Sequence, residues 1–297
     1  MEMTNRNTIL ILGASSFIGR SLYARFGPKC IATHYKTPIQ GGIYFDSLSM
    51  DLPEIIKNPE FISHAIILLG DTKLDSCVSN IKLSQALNVD SIKSILEYLK
   101  KWHIKPVFTS TEAVFDGTKG DYDESDKVNP IVTYAKQKVQ VENFIQESFP
   151  KDHLILRLAL VVSSQPHDGT LLSSWLDAIE QKKQSKCAYD YINTPIHVKD
   201  VAEAIYRLIE NDSSGIFHIS SYKPISRLKL YQMLLTQIKD QGLPGIEPIP
   251  CSIRDFDLLE KRPLNISMIP NKLVKATGLK ITTMHQVCQT LLKRSFG

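Results

Sequence analysis

Tyr134 and Lys138 stand four residues apart at the head of an amphipathic run that follows Asn129-Pro130. In a helix, residues i and i+4 share one face, about 6 Å apart along the axis, so a phenol and an ammonium point into the same space. An ammonium beside a phenol stabilises the phenolate. It would lower a tyrosine pKa that starts at about 10 and bring the group toward acid or base work at neutral pH. Two surface residues at helical spacing also arise by chance, so the pair gains meaning only from the elements around it.

One such element lies at the N-terminus. Thr8-Ile-Leu-Ile-Leu12, short and apolar, leads directly into Gly13-Ala-Ser-Ser-Phe-Ile-Gly19 and then into a run with Leu22, Tyr23 and Phe26 on one face. This order predicts buried strand, tight glycine turn, helix. In such a turn the first glycine permits the bend, the middle position lets backbone approach a pyrophosphate, and the last lets helix pack on strand. The helix N-terminus adds free amides and a positive dipole end. Ser16 occupies the middle position where glycine is usual, and would either crowd a phosphate or hydrogen-bond it.

The acid expected about twenty residues further on, to hold a ribose 2′-hydroxyl, is missing. Cys30-Ile-Ala-Thr-His-Tyr-Lys36 ends the second predicted strand, and the first carboxylate after it is Asp46. Without a carboxylate there, a 2′-phosphate is not repelled and can meet His34 or Lys36. This favours NADP(H) as cofactor, with NAD(H) as the alternative.

The whole chain is consistent with such a protein. Its 297 residues can hold one large α/β unit or a nucleotide domain with a smaller lobe. Hydrophobic residues at 43% and charged residues at 22% are ordinary for a soluble globular protein. The net charge of +4 is spread along the chain, with no basic stripe for nucleic acid. Five scattered cysteines without a C-x-x-C pair suit buried thiols in a reducing compartment. No apolar run reaches the roughly 18 residues of a membrane span, and the first apolar run is too short for a signal segment. A cytoplasmic location follows as the expectation. None of the eight histidines has zinc-like spacing, so no metal is expected.

Strand-like runs at 8–12, 29–33, 43–45, 65–69, 106–109 and 153–158 alternate with helix-like runs near 18–26, 84–101 and 131–148. The alternation predicts an α/β fold of Rossmann type, a doubly wound parallel sheet with its ligand at the carboxyl ends of the strands. After about residue 160 the pattern becomes irregular. A helix near 198–210 and a strand near 215–219 are expected to return to the main sheet. The resulting division is a nucleotide-binding domain over 1–163 with 196–220 rejoining it, and a smaller substrate-binding lobe from 164–195 and 221–297.

A third element follows the fifth predicted strand. It runs Thr109-Ser-Thr-Glu-Ala-Val-Phe-Asp-Gly117, then Gly120-Asp-Tyr-Asp-Glu-Ser-Asp126, then Asn129-Pro130, and so to Tyr134 and Lys138. This resembles the extended short-chain dehydrogenase/reductases, and within them the dTDP-4-dehydrorhamnose reductase group, whose signature runs S-T-D-Y-V-F-D-G, Y-x-E-x-D and a proline before Y-x-x-x-K. The likeness continues through Thr72-Lys-Leu-Asp75, Asn88-Val89, Thr194-Pro195 with Asp200-Val-Ala, Gly215-Ile-Phe-His218, Arg262-Pro-Leu-Asn265 and Lys272-Leu273. The resemblance implies that Tyr134 protonates a carbonyl oxygen and that Lys138 tunes the tyrosine and binds the nicotinamide ribose. Thr111 would hold the carbonyl oxygen, with Ser110 as a neighbour able to share that role. The cofactor would be lined by Gly13, Ser15, Ser16, Phe17, Ile18, Gly19, His34, Lys36, Asp46, Leu69, Gly70, Tyr134 and Lys138. The substrate would meet Asp71, Ser110, Thr111, Glu112, Leu160 and Arg262.

Departures from the family pattern cluster where a substrate would lie. The family's Asp-Tyr after the catalytic threonine is Glu112-Ala113, and its R-T-S-W-V-Y is Arg157-Leu-Ala-Leu-Val-Val162. Three aromatic positions are thus Ala113, Leu160 and Val162, and the pocket is expected to be more open and less able to stack a ring. The family's C-A-A-Y/F is Leu68-Leu-Gly-Asp71, and its R-P-x-N-S ends in Ile266.

The resemblance therefore implies a reductase of a 4-keto nucleotide sugar that supplies a surface polysaccharide, with a homodimer as an option. Two alternatives stand beside it: an epimerase or dehydratase of the same fold, and a non-catalytic NADP-binding regulatory subunit.

Overall fold

The computed structural model of the protein describes residues 7–296. Seven parallel strands form the central sheet: β1 (Thr8–Leu12), β2 (Cys30–His34), β3 (Ile43–Tyr44), β4 (Ile62–Ile67), β5 (Lys105–Thr111), β6 (Leu154–Leu158) and β7 (Gly215–Ile219). Their spatial order is β7-β6-β5-β4-β1-β2-β3, so the chain reverses direction across the sheet between β1 and β4. A crevice opens at the carboxyl ends of the strands at such a reversal. The inner strands are covered on both faces, which is why they read as nearly continuous apolar runs. All five residues of β6 are buried, Arg157 included.

One face of the sheet is covered by the helix Phe17–Phe26 and the helix Val198–Glu210, with Leu22, Ile205 and Leu208 fully buried beneath them. The other carries Ser91–Lys101 and Thr133–Ser148, whose Leu96, Leu99, Val141 and Ile145 pack on Phe108 and Ile155. Burying an aliphatic side chain of this kind contributes about 1.5–3 kcal/mol, so each face fixes its helices against the sheet.

The helix expected over 84–101 is interrupted. It runs as Ile81–Gln85, a π-helical turn at Ala86–Asp90, and Ser91–Lys101. The widened turn carries Asn88, fully buried, beside the loop after β4. The fourth strand also lies earlier than the expected 65–69, because Leu68 and Leu69 pass beyond the ladder and line the crevice instead.

The region read as irregular contains three long helices. Leu171–Glu180, Arg227–Asp240 and Met284–Phe296 share a core of Trp175, Tyr231, Leu234, Leu291 and others, with the Trp175 and Tyr231 rings 5.2 Å apart edge to face. Short strand pairs tie this region together, among them Ile225–Ser226 against Ile192–Asn193. Residues 266–279 return to the main core through Ile266, Met268, Leu273 and Leu279. Among the described residues no helix is long and apolar enough to cross a membrane.

Candidate active site

The turn after β1 has the expected construction. Gly13 adopts φ of +90°, and a Cβ on Gly19 would lie 2.4 Å from the Gly13 carbonyl oxygen, so helix and turn approach too closely for any side chain there. Ser16 caps the helix: its hydroxyl accepts from the Gly19 amide at 3.1 Å. It therefore takes up an amide that the glycine usual at this position would leave to a phosphate. A cavity of about 330 Å³ is lined by Gly13, Ser15, Ser16, His34, Lys36 and Asp46 together with Leu69 and Gly70. Phe17, Ile18 and Gly19 are not among its lining residues; they form the first turn of the helix behind it. The Asp46 carboxylate accepts from the Leu48 amide at 3.1 Å and the Ser49 hydroxyl at 2.9 Å, so it shapes its own loop.

This turn, with its close backbone approach, helix N-terminus and two cation-capable side chains, fits a dinucleotide with a 2′-phosphate. Gly70 is constrained from the other side. Its φ is +130°, and a Cβ would lie 2.7 Å from Asn88 Oδ1. Asn88 also accepts from the Asp71 amide at 2.7 Å and donates to the Asp71 carbonyl at 3.0 Å and to Gln137 Oε1 at 2.8 Å. The π-helical turn thus clamps the loop after β4 to the helix that carries Tyr134.

Tyr134 and Lys138 lie on that helix, both buried. Glu260 anchors its N-terminus, accepting from the Thr133 amide at 2.9 Å and the Thr133 hydroxyl at 2.7 Å. Lys138 Nζ donates to the Thr109 carbonyl at 2.9 Å and sits 5.7 Å from the centre of the Tyr134 ring. The expected lowering of the tyrosine pKa is not what the geometry gives. Burial pushes the Tyr134 phenol up, reinforced by Cys77 and Asp71, so it holds its proton throughout the neutral range. Burial pushes the Lys138 ammonium down to about 8 against the opposing pull of Glu142. A phenol that keeps its proton is an acid waiting for a developing oxyanion.

Thr111 closes the group. It accepts from the Ala113 amide at 3.2 Å, which leaves its own hydroxyl proton to donate. Ser110 is differently employed: its hydroxyl donates to Glu142, which is paired with Arg157 at 2.8 Å in a buried ion pair. Of the two hydroxyls expected to share the carbonyl oxygen, Thr111 is the one whose donor is uncommitted.

Thr111, Tyr134, Ser110, Glu112 and Leu160 line a second cavity of about 330 Å³. Burial pushes the Glu112 carboxyl up to about 8, against the opposing charge of Arg227 and hydrogen bonds from Leu160 and Asn193. Asp71 and Arg262 are not among the lining residues. The Asp71 carboxylate accepts from the Lys73 amide at 2.9 Å and from Ser76, while Arg262 pairs with Asp75 at 2.5 Å and lines a neighbouring cavity with Leu258 and Glu260.

Sequence reasoning missed Tyr191, which lines this second cavity from the segment before Ile192–Asn193 with the Arg227 guanidinium 5.3 Å from its ring centre. Nothing in local pattern marks it, because strand pairing outside the main sheet brings it there. His167, Asp177 and Glu180 bring potential ligand atoms within 4.8 Å of one another on the surface, through a loop and helix that spacing alone does not reveal.

A parallel sheet reversing at a glycine turn, with Thr111 and Tyr134 lining one cavity at its carboxyl edge and Lys138 bonded to the Thr109 carbonyl beside them, has the extended short-chain dehydrogenase/reductase fold. More narrowly, the chain belongs to the RmlD substrate binding domain family, whose pattern matches residues 7–296.

A probable low-salt glycan biosynthesis reductase, Agl14, of Haloferax volcanii is 28% identical over 159 residues, a match that spans 52% of this chain and 53% of that protein. The spore coat polysaccharide biosynthesis protein SpsK of Bacillus subtilis is 27% identical, over 70% and 71%. Methionine adenosyltransferase 2 subunit beta of Danio rerio is 22% identical, over 92% and 85%. Among solved structures, a hypothetical dTDP-4-dehydrorhamnose reductase from Sulfolobus tokodaii superposes with a TM-score of 0.79 at 25% identity, covering 90% of this chain and 94% of that one. The Bacillus anthracis dTDP-4-dehydrorhamnose reductase, solved with NADP, shares the fold with a TM-score of 0.80 at 19% identity, covering 97% and 99%.

Proposed function

We propose that the protein is an NADP(H)-dependent reductase of a 4-keto nucleotide sugar, acting in the cytoplasm in the synthesis of a polysaccharide precursor. The observation that carries this reading is the convergence of Thr111, Tyr134 and Lys138, with the tyrosine held as a phenol. NADPH bound in the cavity between the glycine turn and Lys36 would supply the hydride. Thr111 donates to the sugar carbonyl oxygen and orients it. Tyr134 gives up its phenolic proton to that oxygen as negative charge develops there, and the Lys138 ammonium stabilises the phenolate that results. The helices Leu171–Glu180 and Arg227–Asp240 belong to the lobe that encloses the sugar nucleotide.

The relatives named as glycan biosynthesis and polysaccharide proteins support this class. A second reading, a regulatory NADP-binding subunit, draws support from the long match to methionine adenosyltransferase 2 subunit beta. The intact proton-transfer group favours the enzyme. The test is NADPH oxidation against dTDP- and UDP-linked 4-keto sugars: steady turnover with at least one supports the reductase, and tight NADPH binding without turnover of any supports the subunit.

A further inference from the structure

Tyr134, Lys138 and Glu142 follow one another at intervals of four along one face of the helix Thr133–Ser148, and all three are buried. Neighbours at this spacing stand about 5–6 Å apart at Cβ. The first two have roles in the chemistry above; Glu142 has none. Its carboxyl group is fully engaged. Oε1 accepts from the Ser110 hydroxyl and from Arg157 Nε at 3.2 Å, while Oε2 accepts from Arg157 Nη2 at 2.8 Å. A guanidinium offers donors only, so this fork of two bonds fixes Glu142 as the carboxylate. Ser110 and Arg157 are themselves register partners across β5 and β6, and the residue before Ser110 gives its carbonyl to Lys138 Nζ at 2.9 Å.

Resting on the reductase reading above, we infer that Glu142 is a positioning residue for the proton transfer: as a carboxylate fixed by Arg157 and Ser110, it keeps Lys138 charged beside Tyr134 and so widens the pH range over which the tyrosine can give up its proton. A buried ammonium whose hydrogen bond goes to a neutral carbonyl needs a counter-charge close by. The groups around it leave Glu142 to supply one. Burial pushes the ammonium down, and Glu142 and then Cys77, from Leu74–Ser79, oppose that. The Cys77 thiol is itself pushed up to about 11 by burial, and Tyr134, which Asp71 faces from the loop after β4, keeps its proton, so neither is charged at neutral pH. From β5 come only the Thr109 carbonyl and the Phe108 ring. Arg157, on β6, is occupied with the carboxylate.

The test is a pH series on the full-length protein, wild type beside Glu142→Gln, which keeps the shape and an acceptor for Ser110 and Arg157 but removes the charge. Carbon NMR of protein labelled at the lysine Cε reads the titration of Lys138 without any turnover, its signal being identified by its absence from Lys138→Met. The midpoint is expected at about pH 8 in the wild type and lower by about one unit or more in Glu142→Gln. With any sugar that the wild type reduces, kcat of the variant should stay within a few-fold of wild type at about pH 6 and fall about tenfold below it at about pH 9.

Because the single variant leaves the Arg157 guanidinium buried and uncompensated, Glu142→Gln combined with Arg157→Met serves as the second variant, and its Lys138 midpoint should move the same way. A residue that only braced the fold would lower thermal stability and leave the lysine titration in place. An unmoved midpoint in a folded variant therefore overturns the inference without touching the reductase reading. No NADPH oxidation by the wild type with any sugar would instead sink that reading, and with it the role of Glu142 in proton transfer.

Discussion

Lys138 donates to the backbone carbonyl of Thr109 at 2.9 Å and lies 4.5 Å from the centre of the Phe108 ring. The bond fastens the tyrosine-bearing helix to β5, the strand that presents Thr111. It also places the ammonium in an apolar setting that brings its pKa down to about 8. The charged lysine therefore prevails below about pH 8 and disappears above it. If the ammonium supports the phenolate, kcat should be level below that pH and fall by about tenfold per unit above it. Stability has the opposite slope. The unfolded lysine titrates at about 10.4, so the unfolded chain binds more protons between about pH 8 and about pH 10, and this group makes the fold more stable as pH rises through that window. A pH–rate profile that stays level up to about pH 10 would contradict the assignment.

Lys36 and His34 line the cofactor-side cavity, and no carboxylate follows β2 before Asp46. NADPH should bind at least about tenfold more tightly than NADH, a difference of ~1.4 kcal/mol, and Lys36→Ala should reduce that ratio. Equal calorimetric affinities for the two would remove the argument. Ser16→Gly should retain or improve NADPH binding, since glycine at a helix N-cap costs only a few tenths of a kcal/mol and the Gly19 amide is released from the serine hydroxyl.

Glu142 is paired with Arg157 at 2.8 Å and accepts the Ser110 hydroxyl, all beneath the strand that carries Thr111. Removing one member of a buried pair leaves the other charge uncompensated. Glu142→Ala should destabilise the fold by about 3–5 kcal/mol, measured by urea denaturation, whereas an exposed pair such as Lys239–Glu247 should give ~1 kcal/mol or less. A loss at Glu142 no greater than the surface value would contradict its structural role.

How legible the molecule was depended on where its contacts come from. β1 and the glycine turn follow directly from local pattern, because a buried parallel strand needs an unbroken apolar run and a tight approach needs glycine. The place of Glu112 after Thr111 pointed to the cavity that it lines. Its uncommitted oxygen was not legible, since Leu160 and Asn193 arrive from distant parts of the chain. The same holds for the Ser110 hydroxyl, whose partner Glu142 lies two helical turns beyond Tyr134, and for the direction of the Tyr134 shift. Spacing places the lysine nearby but cannot weigh its charge against burial. The lobe helices were missed because their apolar faces meet one another and not the periodic sheet.

Tyr191 supplies an aromatic wall to a cavity whose expected aromatic positions are Ala113 and Leu160, with Val162 fully buried in the lobe core. The pocket is therefore not devoid of a ring; the ring comes from another segment. Tyr191→Ala should lower kcat/KM for the preferred sugar nucleotide by about 0.5–1.5 kcal/mol, or roughly two- to twelvefold. dTDP-4-dehydrorhamnose should be a poor substrate, improved when Leu160→Trp and Ala113→Tyr are combined. Wild-type kcat/KM for that sugar at or above about 10⁴ M⁻¹s⁻¹ would show that the substitutions leave specificity unchanged.

The central claim is that Tyr134 protonates a sugar carbonyl during NADPH-dependent reduction. Its most direct test is the initial rate of NADPH oxidation with a panel of dTDP- and UDP-linked 4-keto sugars, wild type beside Tyr134→Phe, with NADPH affinity measured on both. The wild type should turn over at least one sugar, and the phenylalanine variant should lose about 10²–10⁴ of that rate with NADPH affinity little changed. An undiminished rate in Tyr134→Phe, or no oxidation by the wild type with any of the sugars, would contradict the account.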